Sequence, residues 1–266
     1  MDGSGLNRTL SRALDILESL ANREVGMTLA EIAAEFQIPV SSAHGLVKTL
    51  EHRGYVERGA DKRYQLGIRM FHISRGVLKR HAVSEHALKY LKALTAATGE
   101  TSHLVVPAGH EVVFIEKVES PQSVRASAPV GTMYEMHMPA TGKALLAFMP
   151  EASRRAILEK LSYAPATPRT ITSREALEHE LQRIAERGYS VDDEEVNIGV
   201  RCLAAPIFDY SGDVVAAIGI TGPTSRVRLE RIDEFATQVR KAAAELSRAL
   251  GAAPERLNLA RTVMGS

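Results

Sequence analysis

Residues 28–66 constrain the fold more tightly than any other stretch of this chain. They read TLAEIAAEF, then QIP, then VSSAHGLVKTLEHR, then GYVERGADKRYQL, which orders as helix, tight turn, helix and two-stranded ribbon. Thr28, with Glu31 three positions later, forms a capping box at the start of the first helix. Leu29, Ile32, Ala33 and Phe36 fall on one helical face. Pro39 is expected to end this helix, because the residue before a proline avoids helical geometry. Ser41 or Ser42 is expected to cap the next one. Leu46, Val47 and Leu50 give the second helix a buried side and turn Ser42, His44 and Lys48 away from it. Gly54 supplies the left-handed stop that helix C-termini favour. Residues 55–58 and 63–66 alternate like paired strands around Gly59, Ala60, Asp61 and Lys62, the pattern of a wing. A second helix held across a first by a short turn is the shape that enters a DNA major groove.

Charge agrees with this reading. Residues 40–80 hold nine Lys/Arg and three Asp/Glu, a local excess of six, whereas the whole chain carries only +1. Positive charge gathered beside a helix-turn-helix pattern is a phosphate-binding footprint. The competing reading is a helical hairpin with a solvated basic face.

At 266 residues the chain accommodates two domains. Its 45% hydrophobic and 24% charged content is that of a soluble globular protein. One cysteine, Cys202, permits no intrachain disulfide, which fits a reducing cytoplasm. The N-terminal apolar run is interrupted by Asp15 and Glu18, unlike a signal peptide. No apolar run approaches the ~18 residues needed to span a bilayer.

Leu10, Ala13, Leu14, Ile16, Leu17 and Leu20 form an amphipathic opening helix after a disordered residue 1–7 segment. The expected boundaries are a winged helix-turn-helix domain over 1–66, a connecting helix over 67–82, a second domain over 83–252 and a tail over 253–266. In the second domain a helix over 84–97 precedes three strand-like runs, HLVVPAG, EVVFIEKV and SVRASAPVG. Helices follow at about 141–149, 151–161 and 173–187. Two strands come at about 201–209 and 213–221, and a closing helix covers about 226–250. Strands, helices, strands and a final helix indicate an α+β domain with an antiparallel sheet.

The chain resembles transcriptional regulators of the IclR family over nearly its whole length. The matching residues in the first module are SRALDILESLA, LAEIA, SSAHGLVKTLEHRGYVER and RYQLG. In the second they are RASAPVGTMYEMHMPATGKALLA, GYSVDDEEVNIGVRCLAAPIFDYSGDVVAAIGITGP and Arg226. The resemblance implies an N-terminal winged helix-turn-helix and a C-terminal GAF-like domain that binds a small organic acid. It also implies dimers or tetramers on double-stranded operator DNA, with no cofactor.

By this resemblance and by helical position, Ser41, Ser42 and His44 meet base edges or phosphates. Lys48, Arg58, Lys62 and Arg63 meet mostly backbone phosphates. Val40 and Gly45 depart from the family pattern, where lysine and arginine are common, so the recognition helix has fewer cationic reaches. Gly45 inside a helix costs roughly 1 kcal/mol against alanine.

The stretch 139–147, PATGKALLA, reads as a turn entering a helix, and a helix N-terminus suits a carboxylate. The family places its anion-binding turn at Ala140, Thr141 and Gly142. A phosphate loop does not fit, because His137 stands where its first glycine is required. The resemblance adds Asp192, Val200 and Cys202 to the effector pocket. It also adds Gly219 and Thr221, which alternate on one strand face, with Ala126, Tyr134, Met133 and Met136 as further wall. Asp193, Glu194 and Glu195 read as an acidic solvated turn. Room at Gly219 and the apolar wall point to an acid larger than a two- or three-carbon keto acid, including an aromatic one.

Two other readings compete. One is an enzyme using Cys202 as nucleophile with His103 or His137 as base. No catalytic signature, zinc-type His/Cys spacing or evident carboxylate pair supports it. The other is a DNA-binding protein without a ligand, whose second domain serves assembly only.

Overall fold

The computed structural model describes residues 7–73 and 83–254. The chain divides into two compact units, 1–81 and 82–266.

The first unit contains α1 (Arg8–Ala21), α2 (Leu29–Glu35), α3 (Val40–His52), β1 (Val56–Arg58) and β2 (Tyr64–Leu66). Its core is one cluster. Ile16 and Leu20 of α1 pack with Met27, Ile32, Ala43, Val47, Val56 and Tyr64, so α1 lies beneath the helix-turn-helix. Asn7, expected to be disordered, caps α1 by accepting hydrogen bonds from the Thr9 and Leu10 amides. The Thr28–Glu31 capping box is present in both directions. β1 and β2 pair antiparallel, with Glu57 opposite Gln65.

The turn differs from expectation. Helix α2 stops at Glu35, and Gln37 adopts the left-handed conformation with φ 50°. Pro39 begins α3 as its N-cap, and neither Ser41 nor Ser42 provides a side-chain cap. Proline fixes a backbone angle suited to a helix start, so the same residue that cannot continue one helix initiates the next. Residues 69–73 are helical, and the remainder of the expected connecting helix lies outside the described residues, as does the tail from 255.

The second unit contains α4 (Val83–Thr98), β3 (Thr101–Ala108), β4 (Glu111–Val118), β5 (Met133–Glu135), α5 (Ala140–Phe148), α6 (Glu151–Leu158) and α7 (Arg174–Arg187). It continues with β6 (Ser190–Asp193), β7 (Val200–Phe208), β8 (Val214–Pro223) and α8 (Ile232–Ala249). The sheet order is β5-β4-β3-β8-β7-β6, and every pairing is antiparallel. One sheet face packs with α4 and α8 through Leu91, Leu104, Leu203, Ile218, Ile220 and Phe235. The other packs with α5 and α7 through Val105, Leu145, Leu177, Ala204 and Ala217. Because both faces are covered, β3 and β8 are buried almost without alternation.

Three expectations are corrected here. Residues 124–130 are irregular, and the third strand is the short β5. Ser190–Asp193 form an edge strand that the acidic sequence concealed. The closing helix begins at Ile232, after a 3-10 turn at Leu229–Arg231.

Candidate nucleic-acid interface and effector cavity

Helix α3 buries Ala43 and Val47 completely and presents Ser41, Ser42, His44 and Lys48 to solvent. Gly45 lies on this exposed side with open space around its missing side chain. Val40, at the helix start, is 55% exposed. On the wing, Arg58 lies over the Tyr64 ring, 5.4 Å from its centroid, a cation–π contact that holds the guanidinium at the ribbon. Lys62 sits at the wing tip in the left-handed conformation, φ 66°. Arg63 is already engaged. It pairs with Glu31 at 2.8 Å and donates to the Gly26 carbonyl, bracing the wing against α2. Of the four cationic candidates it is therefore the least available to a phosphate.

In the second unit the structure brings most of the predicted effector residues into one cavity of about 160 Å³. Ala126, Tyr134, Ala140, Thr141, Asp192, Val200, Cys202 and Thr221 all line it. The floor is the sheet and the roof is the start of α5. Pro139 caps that helix without a side-chain hydrogen bond, leaving first-turn amides without the usual side-chain acceptor. Thr141 is buried, and its Oγ1 has no hydrogen-bond partner. A buried hydroxyl left unpaired costs about 1–3 kcal/mol, so this one is poised for a ligand.

Asp192 and Cys202 on the floor are partnered. Asp192 Oδ1 accepts from the Glu195 amide at 2.7 Å and the Val196 amide at 3.3 Å, fixing the loop that edges the cavity. Burial pushes the Asp192 carboxyl upward, against the pull of Lys143. Cys202 Sγ lies 2.8 Å from Thr221 Oγ1 on the neighbouring strand. Burial, and next the Asp192 carboxylate, hold its thiol well above the ordinary range. A thiol kept protonated is a poor nucleophile. His137 is buried outside the cavity, with Nε2 3.4 Å from the Ala164 carbonyl.

Four expected wall residues fall elsewhere. Gly142 lies just behind the cavity, where a Cβ would come within 2.6 Å of the Met136 Cα, so glycine is what lets α5 approach that loop. Met136 is core, and Met133 is 45% exposed. Gly219 does not open the cavity as expected. A Cβ there would stand 2.5 Å from the Leu203 carbonyl oxygen and 3.2 Å from His103 Nε2, so the neighbouring strand and the imidazole leave it no room.

Two features went unread in the sequence. The first is Phe114, which joins the expected wall residue Tyr134 to His103: the His103 and Phe114 rings lie 5.0 Å apart, and Tyr134 meets Phe114 edge-on at 6.0 Å. The second is Glu195, expected in a solvated turn. It is buried and pairs with the fully buried Lys143 of α5. Burial outweighs the lysine and pushes the Glu195 carboxyl up to about 7. Among the described residues no His/Cys/Asp/Glu group could hold a metal ion, and no helix is long and apolar enough to cross a membrane.

Comparison with known proteins follows the same two-part division. The IclR helix-turn-helix domain family matches residues 9–60, and the bacterial transcriptional regulator IclR C-terminal family matches residues 75–248. The HTH-type transcriptional regulator XynR of Escherichia coli is 34% identical over 245 residues, covering 92% of this chain and 97% of that one. The crystal structure of Thermotoga maritima IclR is similar at 37% identity and TM-score 0.74, covering 91% of this chain and 98% of that one. An IclR homologue from Microbacterium hydrocarbonoxydans, solved in complex with 4-hydroxybenzoate, is similar at 26% identity and TM-score 0.78, with coverage of 91% and 98%. Named relatives are regulators rather than enzymes, which removes the cysteine-nucleophile reading. With both domain families matched in order and regulators aligned over nearly its full length, this chain belongs to the IclR family of DNA-binding transcriptional regulators.

Proposed function

We propose that a small organic acid, held in the cavity of the second unit, controls the affinity of this regulator for its operator. The observation that carries this is the unpartnered, buried Thr141 hydroxyl beside the side-chain-uncapped start of α5, opening on a cavity of about 160 Å³. Backbone amides, a positive helix end and a hydroxyl donor together suit a carboxylate. A cavity of roughly 150 Å³ takes one benzene-sized ring. The 4-hydroxybenzoate complex of the homologue supports a ring acid of this size.

On the DNA side, exposed Ser41, Ser42 and His44 meet base edges, while Lys48, Arg58 and Lys62 meet phosphates. Phosphate contacts set affinity and salt dependence, and base contacts set sequence choice. One winged helix reads only a few base pairs, so self-association on paired half-sites multiplies discrimination. The acid changes DNA affinity by its differential binding to two arrangements of the protein, and by no more.

Fluorescence anisotropy on DNA from upstream of the protein's own gene, with random DNA as control, tests this. Salt-sensitive, sequence-selective binding that one acid shifts is the expected result. Selective binding that no keto, hydroxy or aromatic acid shifts, together with a melting temperature unmoved by any of them, would leave the ligand-free reading standing.

A further inference from the structure

We infer that His103 reads a hydrogen-bonding substituent at the end of the effector opposite its carboxylate, which selects six-membered-ring acids carrying such a group over plain ones. This rests on the acid-binding reading above.

Register on the sheet carries the argument. Ser190, Ala204, Gly219 and His103 form one row across β6, β7, β8 and β3. At one end of the row Ser190 Oγ donates to the Ala140 carbonyl, pinning the start of α5 over β6. At the other end stands His103. Ala204 and Gly219 between them lie outside the cavity lining, and the floor is the adjacent row on the same sheet face, Asp192, Cys202 and Thr221 of β6, β7 and β8. Three strand spacings separate the ends by about 14 Å of backbone. The His103 ring leans back over Gly219, to 3.2 Å from where a Cβ would stand. That reach reduces the free span to roughly 10 Å, on the strand spacing just used. An acid anchored at Thr141 therefore meets His103 with its far end.

His103 has the chemistry to read what it meets. It lines the cavity and is 4% exposed. Among the described residues its ring nitrogens have no hydrogen-bond partner, and Phe114 holds the ring in place by stacking. Burial drives its pKa down to about 4, so the imidazole is neutral at physiological pH and offers one donor and one acceptor. Thr141 on the roof and His103 on β3 are thus two buried side chains of the cavity lining with free hydrogen-bonding capacity. A site with an unpaired buried polar group discriminates strongly against a ligand that cannot pair it.

The test is isothermal titration of the full-length protein with benzoate, 2-hydroxybenzoate, 4-hydroxybenzoate and pyruvate. Wild type, His103→Leu and His103→Gln are compared, with thermal melts to confirm that each folds. We expect 4-hydroxybenzoate to bind at least tenfold more tightly than benzoate, and 2-hydroxybenzoate to gain nothing. His103→Leu should cut the preference below twofold with benzoate affinity kept, and His103→Gln should restore most of it. The preference should hold constant from pH 5.5 to 8, since a neutral histidine has no proton to lose there. Equal binding of the ring acids, a preference that His103→Leu leaves intact, or binding of pyruvate alone would overturn the assignment to His103 and leave the acid-binding reading in place. No binding by any acid would overturn both. If the leucine variant fails to fold, His103→Phe, which keeps a ring against Phe114 but carries no hydrogen-bonding group, replaces it with the same expected loss of preference.

Discussion

Helices α3 and α5 both start behind a proline, and each carries a glycine in its first two turns, yet they are built for opposite purposes. In α3, Gly45 faces open space, and only Ala43 and Val47 are fully buried, with Leu46 and Leu50 packed partly against the same core. In α5, the eight residues from Ala140 to Ala147 are buried, and Gly142 is wedged against the Met136 backbone. The first helix is displayed so that something else can be packed onto it. The second is enclosed so that only its N-terminus, facing a cavity, remains to be used. A glycine in the first is a conformational cost accepted on a surface; in the second it is a steric requirement.

This contrast can be broken by substitution, and the buried helix should suffer most. Lys143→Met leaves Glu195 buried without its partner, and breaking such a pair costs about 3–5 kcal/mol. Adding Glu195→Leu should recover most of that loss in denaturant unfolding; no recovery would mean that the pair does not act as a unit. The same pair gives a pH signature. The Glu195 carboxyl is raised in the folded state, so its protonation favours folding. That contribution is full below about 4.5 and is lost as pH rises through about 7. The difference in stability between wild type and Glu195→Gln should therefore change across that window and be flat above it.

Gly142→Ala drives a methyl into the Met136 backbone and should cost about 1–3 kcal/mol. Gly45→Ala fills open space and should instead stabilise the first unit by about 0.5–1 kcal/mol. If both glycines respond alike in thermal melts, the contrast between the helices is wrong. The smallest effect expected is that of Lys48→Ala. It should leave stability unchanged, weaken binding to all DNA sequences alike and lower the salt slope by about 1.

Legibility followed distance along the chain. The Thr28–Glu31 capping box and the wing were readable because their partners lie within a few residues. Pro39 reads as a stop in the sequence and acts as a start, since proline's fixed angle serves both. Glu195 looked solvated in DDEE because its partner, Lys143, lies 52 positions away. The apolar face of Leu145 and Leu146 gave no sign that a lysine would be buried beside it. His103, in an apolar run, offers the sequence only a candidate base for Cys202. Only the pairing of β3 with β8 turns it over Gly219, and no local spacing encodes that pairing. Tyr134, Thr141, Asp192 and Cys202 were reached through family resemblance rather than through any period in the sequence.

The central claim is a coupling between cavity and operator, and coupling is reciprocal. The most direct measurement is the dissociation constant of 4-hydroxybenzoate for the protein alone and for the protein saturated with operator DNA, beside the operator constant with and without the acid. The account predicts that both ratios differ from one and equal each other. Two ratios of one, with the acid still bound in the cavity, would contradict it.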